Sequence, residues 1–377
     1  MLIEQVRWTQ AGGWEPHAPG RMGAAADLVA VFGDGTILRE GPPLADVRRA
    51  WPTARILGCS TAGEIRDTRV ANETLVATAV RFAHSRVEGA LVPLGDDSRE
   101  AGRRLGAALP SEGLRHAFVL TDGLAVDGTE FAQGLRAGLP AHVSATGGLA
   151  GDGRRFQRTT VVMDGEAASG AAAIVGFYGE RLVVGHGCMG GWGVFGPERL
   201  ITRSKGRVLY EVDGQPVLAL YKKYLGEHAS SLPTTGLMFP LVLRTPNGAQ
   251  GVARAVLEID EAAQSVTFAG DMPEGAYARL MMASYERLLE GAAGAARSAL
   301  EGLGAQEPDL ALLVSCVGRK WVLEERVEEE VEVVRETLGT RPALAGFYSY
   351  GEIAPLAAGP GFALQNQTMV ATTFAER

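Results

Sequence analysis

Apolar and polar positions along the chain sort into a unit that occurs more than once. An apolar run at residues 28–32 (LVAVF) ends at Gly33-Asp34-Gly35, residues 43–50 read as a helix, and a second apolar run at 55–57 enters Gly58-Cys59-Ser60-Thr61-Ala62-Gly63-Glu64-Ile65. A third run lies within 72–80 (NETLVATAV). Short apolar runs bounded by glycine predict buried strands, and a strand–helix–strand order predicts parallel pairing through a right-handed crossover.

The same grammar closes the chain. Residues 310–314 end at Ser315-Cys316, a helix follows with Leu323, Val327, Val331, Val334 and Leu338 on one face, and Leu344-Ala345 enters Gly346-Phe347-Tyr348-Ser349-Tyr350-Gly351-Glu352-Ile353. Its third strand begins at Asn366-Gln367-Thr368. A weaker middle copy runs from 117–120 through Thr121-Asp122-Gly123, a helix at 129–136 and strand 142–145 into Thr146-Gly147-Gly148-Leu149-Ala150-Gly151-Asp152, with 159–163 as its third strand. This alignment puts Asp152 in the place of Glu64 and Glu352.

Between the middle and last copies the pattern changes. Residues 157–163, 171–178, 181–187, 200–205 and 207–212 read as short strands between glycine turns, followed by a helix at 216–225, strands at 237–244, 252–259 and 265–269, and a long helix at 273–303. The expected fold is α/β (α+β mixed): repeated strand–helix–strand units building mixed sheets, with an antiparallel β-rich middle section. Residues 233–236 (PTTG) are the boundary candidate.

Composition narrows the function classes. At 377 residues, 46% hydrophobic and 21% charged, this is an ordinary globular composition, and roughly 150 residues per domain suggests two or three domains or one unusually large one. A net charge of −8 without a basic stretch argues against a nucleic-acid partner. Three cysteines, Cys59, Cys188 and Cys316, match neither a disulfide framework nor a zinc pattern, so a reducing cytoplasm is the expected setting. Met1-Leu2-Ile3-Glu4 does not open a secretory leader, and the uncharged run 353–375 is broken by Pro355, Pro360 and Gln365-Asn366-Gln367-Thr368, so no membrane span is expected. None of the glycine turns is a Walker loop or a GxGxxG element, and Ser60 does not sit in G-x-S-x-G.

Strand ends followed by glycine present backbone N–H groups to ligands in α/β sheets, which makes Glu64, Asp152 and Glu352 candidates; the competing reading has each acid bonded within its own turn. Cys59 and Cys316 fit either a convergent thiol site or packing beside glycine. His186, between Gly185 and Gly187, is either an accessible ligand or a core histidine. Arg319 suits a ligand carboxylate, with Glu64 or Glu352 for an ammonium and Tyr348 and Tyr350 as an aromatic wall, or else it pairs with a nearby glutamate. Glu324, Glu325, Glu328, Glu329, Glu330, Glu332 and Glu336 read as a solvated helix face.

Residues 58–65 (GCSTAGEI), Thr121-Asp122-Gly123, 146–152 (TGGLAGD), 185–188 (GHGC), 208–214 (VLYEVDG), 315–319 (SCVGR), 346–355 and Asn366-Gln367-Thr368 together resemble the FIST sensory module over nearly the whole chain. The resemblance implies an N-terminal region at 1–220 and a C-terminal region at 221–377. It further implies a non-enzymatic cytoplasmic sensor of an amino acid or small carboxylate, acting on a separate histidine kinase or cyclic-dinucleotide enzyme. Cys59, Ser60, Thr61, Glu64, Asp122, Asp152, Cys316, Arg319, Tyr348, Glu352 and Asn366 are the ligand-binding candidates. One branch of the family resembles haem proteins that detect nitric oxide, which makes haem, held by His186, the alternative; an enzyme using Cys59 or Cys316 is a second.

Overall fold

A computed structural model describes residues 1–232, 234–244, 251–355 and 361–377; Pro233, in the boundary candidate, lies outside them. Mixed α/β architecture is what they form. Three sheets share one plan. In the first, Leu28–Gly33 and Arg55–Ser60 pair in parallel, with Thr74–Arg81 and then Leu2–Thr9 added antiparallel beyond Leu28–Gly33. In the second, Leu114–Thr121 pairs in parallel with Ser144–Leu149, and Ala171–Tyr178 and Arg86–Pro93 are added antiparallel. In the third, Leu310–Cys316 pairs in parallel with Ala343–Ser349, followed by Met369–Glu376 and Leu182–Met189.

Each sheet also takes a strand from another. Glu64–Arg66, of the first repeat, pairs with Ala343–Ser349 of the third; Gly351–Pro355, of the third, pairs with Ser144–Leu149 of the second; Val161–Met163, of the second, pairs with Arg55–Ser60 of the first. The exchange is a closed cycle. It covers one edge of every parallel pair, which would otherwise expose unpaired backbone groups. The expected third strand of the middle copy is corrected by this: Val161–Met163 is the exchanged strand, and Ala171–Tyr178 holds the third-strand place.

The glycine that opens each turn is required by the parallel pair. A Cβ on Gly58, Gly147 or Gly346 would lie 2.1, 1.8 or 2.0 Å from the carbonyl oxygen of Val31, Val119 or Leu313 on the neighbouring strand. These positions therefore serve strand packing.

The inward faces of the three sheets meet in one apolar core containing Phe32, Phe118, Phe177, Phe347 and Phe374, with Phe32 and Phe347 stacked at 4.8 Å. Helices cover the outward faces: Pro42–Ala50 on the first sheet, Ser98–Ala107 and Gly128–Gly138 on the second, and Tyr285–Gly302 and Val327–Leu338 on the third. The long helix expected at 273–303 is shorter, because Tyr277–Met282 is a strand with alternating burial and Ser284 caps the helix that starts at Tyr285. Between Leu182–Met189 and that helix, the described residues of 193–282 include a nine-stranded antiparallel sheet packed around Leu209, Tyr221, Val266 and Phe268.

Candidate functional site

The carboxyl ends of the parallel strands lie where their loops converge, the usual place for ligands in such sheets. Asp34 and Asp122 follow the first strand of their repeats and act alike: Asp34 accepts from Thr36 N at 2.7 Å, and Asp122 from Leu124 N at 2.9 Å, Gly170 N at 2.8 Å and the Thr159 hydroxyl. Cys316 holds the corresponding place in the third repeat, ahead of the helix Val317–Leu323.

Glu64 and Glu352 are bonded identically. Glu64 accepts from the Thr61 hydroxyl, Thr74 N at 3.2 Å and Thr74 Oγ1 at 2.8 Å; Glu352 accepts from Ser349 Oγ at 2.7 Å, Thr368 N at 3.1 Å and Thr368 Oγ1 at 2.8 Å. Burial raises both carboxyls to about 7 against these hydrogen bonds. In the middle repeat their position falls to Val161: Glu64 faces Phe347, Glu352 faces Gly148, and Val161 faces Cys59 at the same register. Asp152 is therefore not their counterpart. It accepts from Phe156 N, Gln157 N and Arg158 N at 2.8–2.9 Å and from the Tyr350 hydroxyl, and these bonds hold it below its ordinary value against the effect of burial.

A cleft of about 720 Å³ opens beside these turns, bordered by Thr61–Glu64, Asp152, Arg154, Arg155, Lys320 and Trp321. Each repeat contributes to its wall. Lys320 Nζ donates to Ala62 O at 2.6 Å and to the Asn72 side chain, lies 5.4 Å from the Tyr348 ring centre, and is pushed down to about 8 by burial. Lys320 lies one residue beyond the candidates that the motif marks. Lysine is scarce here, with only Lys205, Lys222, Lys223 and Lys320, so a lysine directly after the SCVGR motif was an available signal.

Arg319 points the other way. Fully buried, it donates from Nε to Glu330 at 2.6 Å, from Nη2 to Leu288 O at 2.7 Å and from Nη1 to Gly190 O. Glu330 also accepts from Ser315 Oγ and Tyr348 Oη, each at 2.8 Å. The expectation of a solvated Glu330 is thus corrected: three residues after Val327 and four before Val334, it shares their inward face.

Ser60 accepts from Thr160 N at 2.9 Å and is fully buried. Cys59 lies in the central core, and burial pushes the thiols of Cys59, Cys188 and Cys316 up. Asn366 is 1% exposed and borders a narrow recess with Cys316 and Tyr350. His186 is half-buried, its ring 6.3 Å from that of fully buried His116, which contacts Ser144 Oγ and Thr146 Oγ1 at 2.8 Å each. Its flanking glycines do not open it to a ligand. A Cβ on Gly185 or Gly187 would meet the carbonyl oxygen of Ala299 or Ala295 at 1.9 or 2.0 Å, so they let the helix Tyr285–Gly302 sit on the strand. His186 borders none of the clefts described here, and these surroundings do not fit a haem. Among the described residues no cluster of three or more side chains could hold a metal ion, and no helix is long and apolar enough to cross a membrane.

The FIST N domain matches residues 27–215 and the FIST C domain residues 218–355. The chain belongs to the FIST family. FIST domains are signalling sensor domains. No curated protein matches this FIST chain. Among solved structures it is similar to the crystal structure of cyanuric acid hydrolase from A. caulinodans, at 9% identity and a TM-score of 0.37, over 100% of this chain and 99% of the other.

Proposed function

We propose that this FIST protein is a cytoplasmic sensor that binds an amino acid or small carboxylate in the cleft beside Lys320 and passes the signal to a separate partner, a histidine kinase or a cyclic-dinucleotide enzyme. The observation that carries this reading is the mixed charge of the cleft: Lys320, Arg154 and Arg155 line it together with Glu73, Glu324 and Glu325, and the walls come from all three repeats. A zwitterion matches both signs, and a ligand gripped by separate repeats changes how they sit together, as a sensor requires. Free thiols at Cys59, Cys188 and Cys316 support the reducing setting.

The test is a thermal-shift screen of amino acids and small carboxylates against the whole chain, repeated with Lys320→Met. A specific probe should raise the melting temperature of the wild type and lose its effect in the variant. A broad screen that leaves the wild type unmoved rejects the reading.

A further inference from the structure

Next to the charged cleft lies a second space of different character. It measures about 570 Å³ and shares Arg154, Trp321 and Glu324 with the cleft; its other walls include Phe156, Met238 and Leu257. Those three side chains are 47, 43 and 42% exposed, unusual for large apolar groups gathered around one opening. Phe156 stacks on Tyr350 at 4.7 Å and meets Trp321 edge-on at 5.9 Å, while the Arg154 guanidinium lies 5.1 Å over the Trp321 ring. The space shares Phe156, Leu257 and Trp321 with a recess of about 100 Å³ that Tyr350 and Asn366 also border. Asn366 is 99% buried by its 1% exposure, yet its Oδ1 has no hydrogen-bond partner among the described residues. A buried amide oxygen without a donor is uncommon in a folded chain, and Asn366 borders a recess with aromatic walls.

We propose that this slot takes a flat aromatic ring carrying an N–H that donates to Asn366 Oδ1, so that the ligand whose charged end occupies the neighbouring cleft is an aromatic amino acid with a ring N–H. The inference rests on the amino-acid reading above and narrows it. Stacked aromatic walls favour a planar π-surface, and a site with a buried acceptor discriminates against analogues that cannot supply the donor.

Calorimetric titration of the full chain with L-tryptophan, 1-methyl-L-tryptophan, L-phenylalanine and L-leucine tests this. L-tryptophan should bind about tenfold more tightly than its N-methylated form or L-phenylalanine, one hydrogen bond's worth, and L-leucine more weakly still. Asn366→Leu should bring L-tryptophan to the L-phenylalanine level without lowering the melting temperature of the unliganded protein. The wild-type contrast between L-tryptophan and its N-methyl form needs no variant. Equal affinity for those two, or L-leucine binding as tightly as L-tryptophan in a manner abolished by Lys320→Met, overturns the ring proposal while the amino-acid reading stands. Silence with all four ligands overturns the ring proposal, and the wider screen of aliphatic acids then decides the parent reading separately.

Discussion

The exchanged turns of the first and third repeats differ from that of the middle repeat in one respect that matters. Glu64 and Glu352 are anchored by the same set of donors, a hydroxyl three residues earlier and the N–H and hydroxyl of a threonine at the third strand. At that register the middle repeat has Val161, fully buried, and its acids Asp122 and Asp152 serve neighbouring turns. All three turns nevertheless deliver a strand to another sheet. The ladder, then, is set by backbone pairing and by the glycine at its start, and a buried carboxyl is one of two ways to complete the turn.

Five substitutions and one titration would break or sharpen that contrast. Arg319→Met leaves the Glu330 carboxylate buried without its cation, and the expected loss, about 4 kcal/mol in denaturant unfolding, sets the upper mark. Glu64→Ala and Glu352→Ala each strand a buried N–H and two hydroxyls and should cost about 3 kcal/mol apiece. If the two differ by more than about 1 kcal/mol, the equivalence drawn between the turns fails. Val161→Ala removes only apolar contact and should cost about 2 kcal/mol. Asp152→Asn, in a turn nearer solvent, should cost about 1 kcal/mol.

The titration separates the turns by sign. Because Glu64 and Glu352 sit near 7 in the folded chain, above the ordinary 4.5, the folded state holds their protons more tightly than the unfolded one. Their contribution is full below about 4.5 and is lost as pH rises through about 7. Asp152 is depressed, so its contribution is present above its ordinary 3.8 and is lost as pH falls through its lower folded value. Melting temperatures of Glu64→Gln/Glu352→Gln should therefore show a flatter decline between pH 4.5 and 7.5 than the wild type, and Asp152→Asn should alter only the acid limb. A wild type with no decline across that interval would remove the basis for calling those two carboxyls raised.

Much of the repeat is legible in the sequence. Runs such as 28–32 and 310–314 are apolar at every position because strands buried on both faces must be, and the glycine-acid elements marked the ends of the strands paired with them. The middle copy misled because its exchanged strand Val161–Met163 is three residues long and apolar, like any third strand. The site was legible only in outline. Thr61, Glu64 and Asp152 border the cleft, but Lys320 and Trp321 reach it from a helix whose first turn also sends Arg319 into the core. Adjacent helical residues point about 100° apart, so the facing of Arg319 and Lys320 depended on where the helix docked.

The sequence by itself determined the recurring strand–helix–strand unit, the glycines that end its second strands, the antiparallel character of the stretch before the last copy, and the family. Those features are local, carried by periodicity and by turn residues. Only the tertiary structure decided that each turn crosses to another sheet, that Glu330 is buried and Lys320 borders the cleft, and that the glycines beside His186 face a helix. The physical reason is that a strand's edge offers the same N–H and C=O groups to every candidate partner. Which one it meets is settled by the packing of three sheets around a shared core.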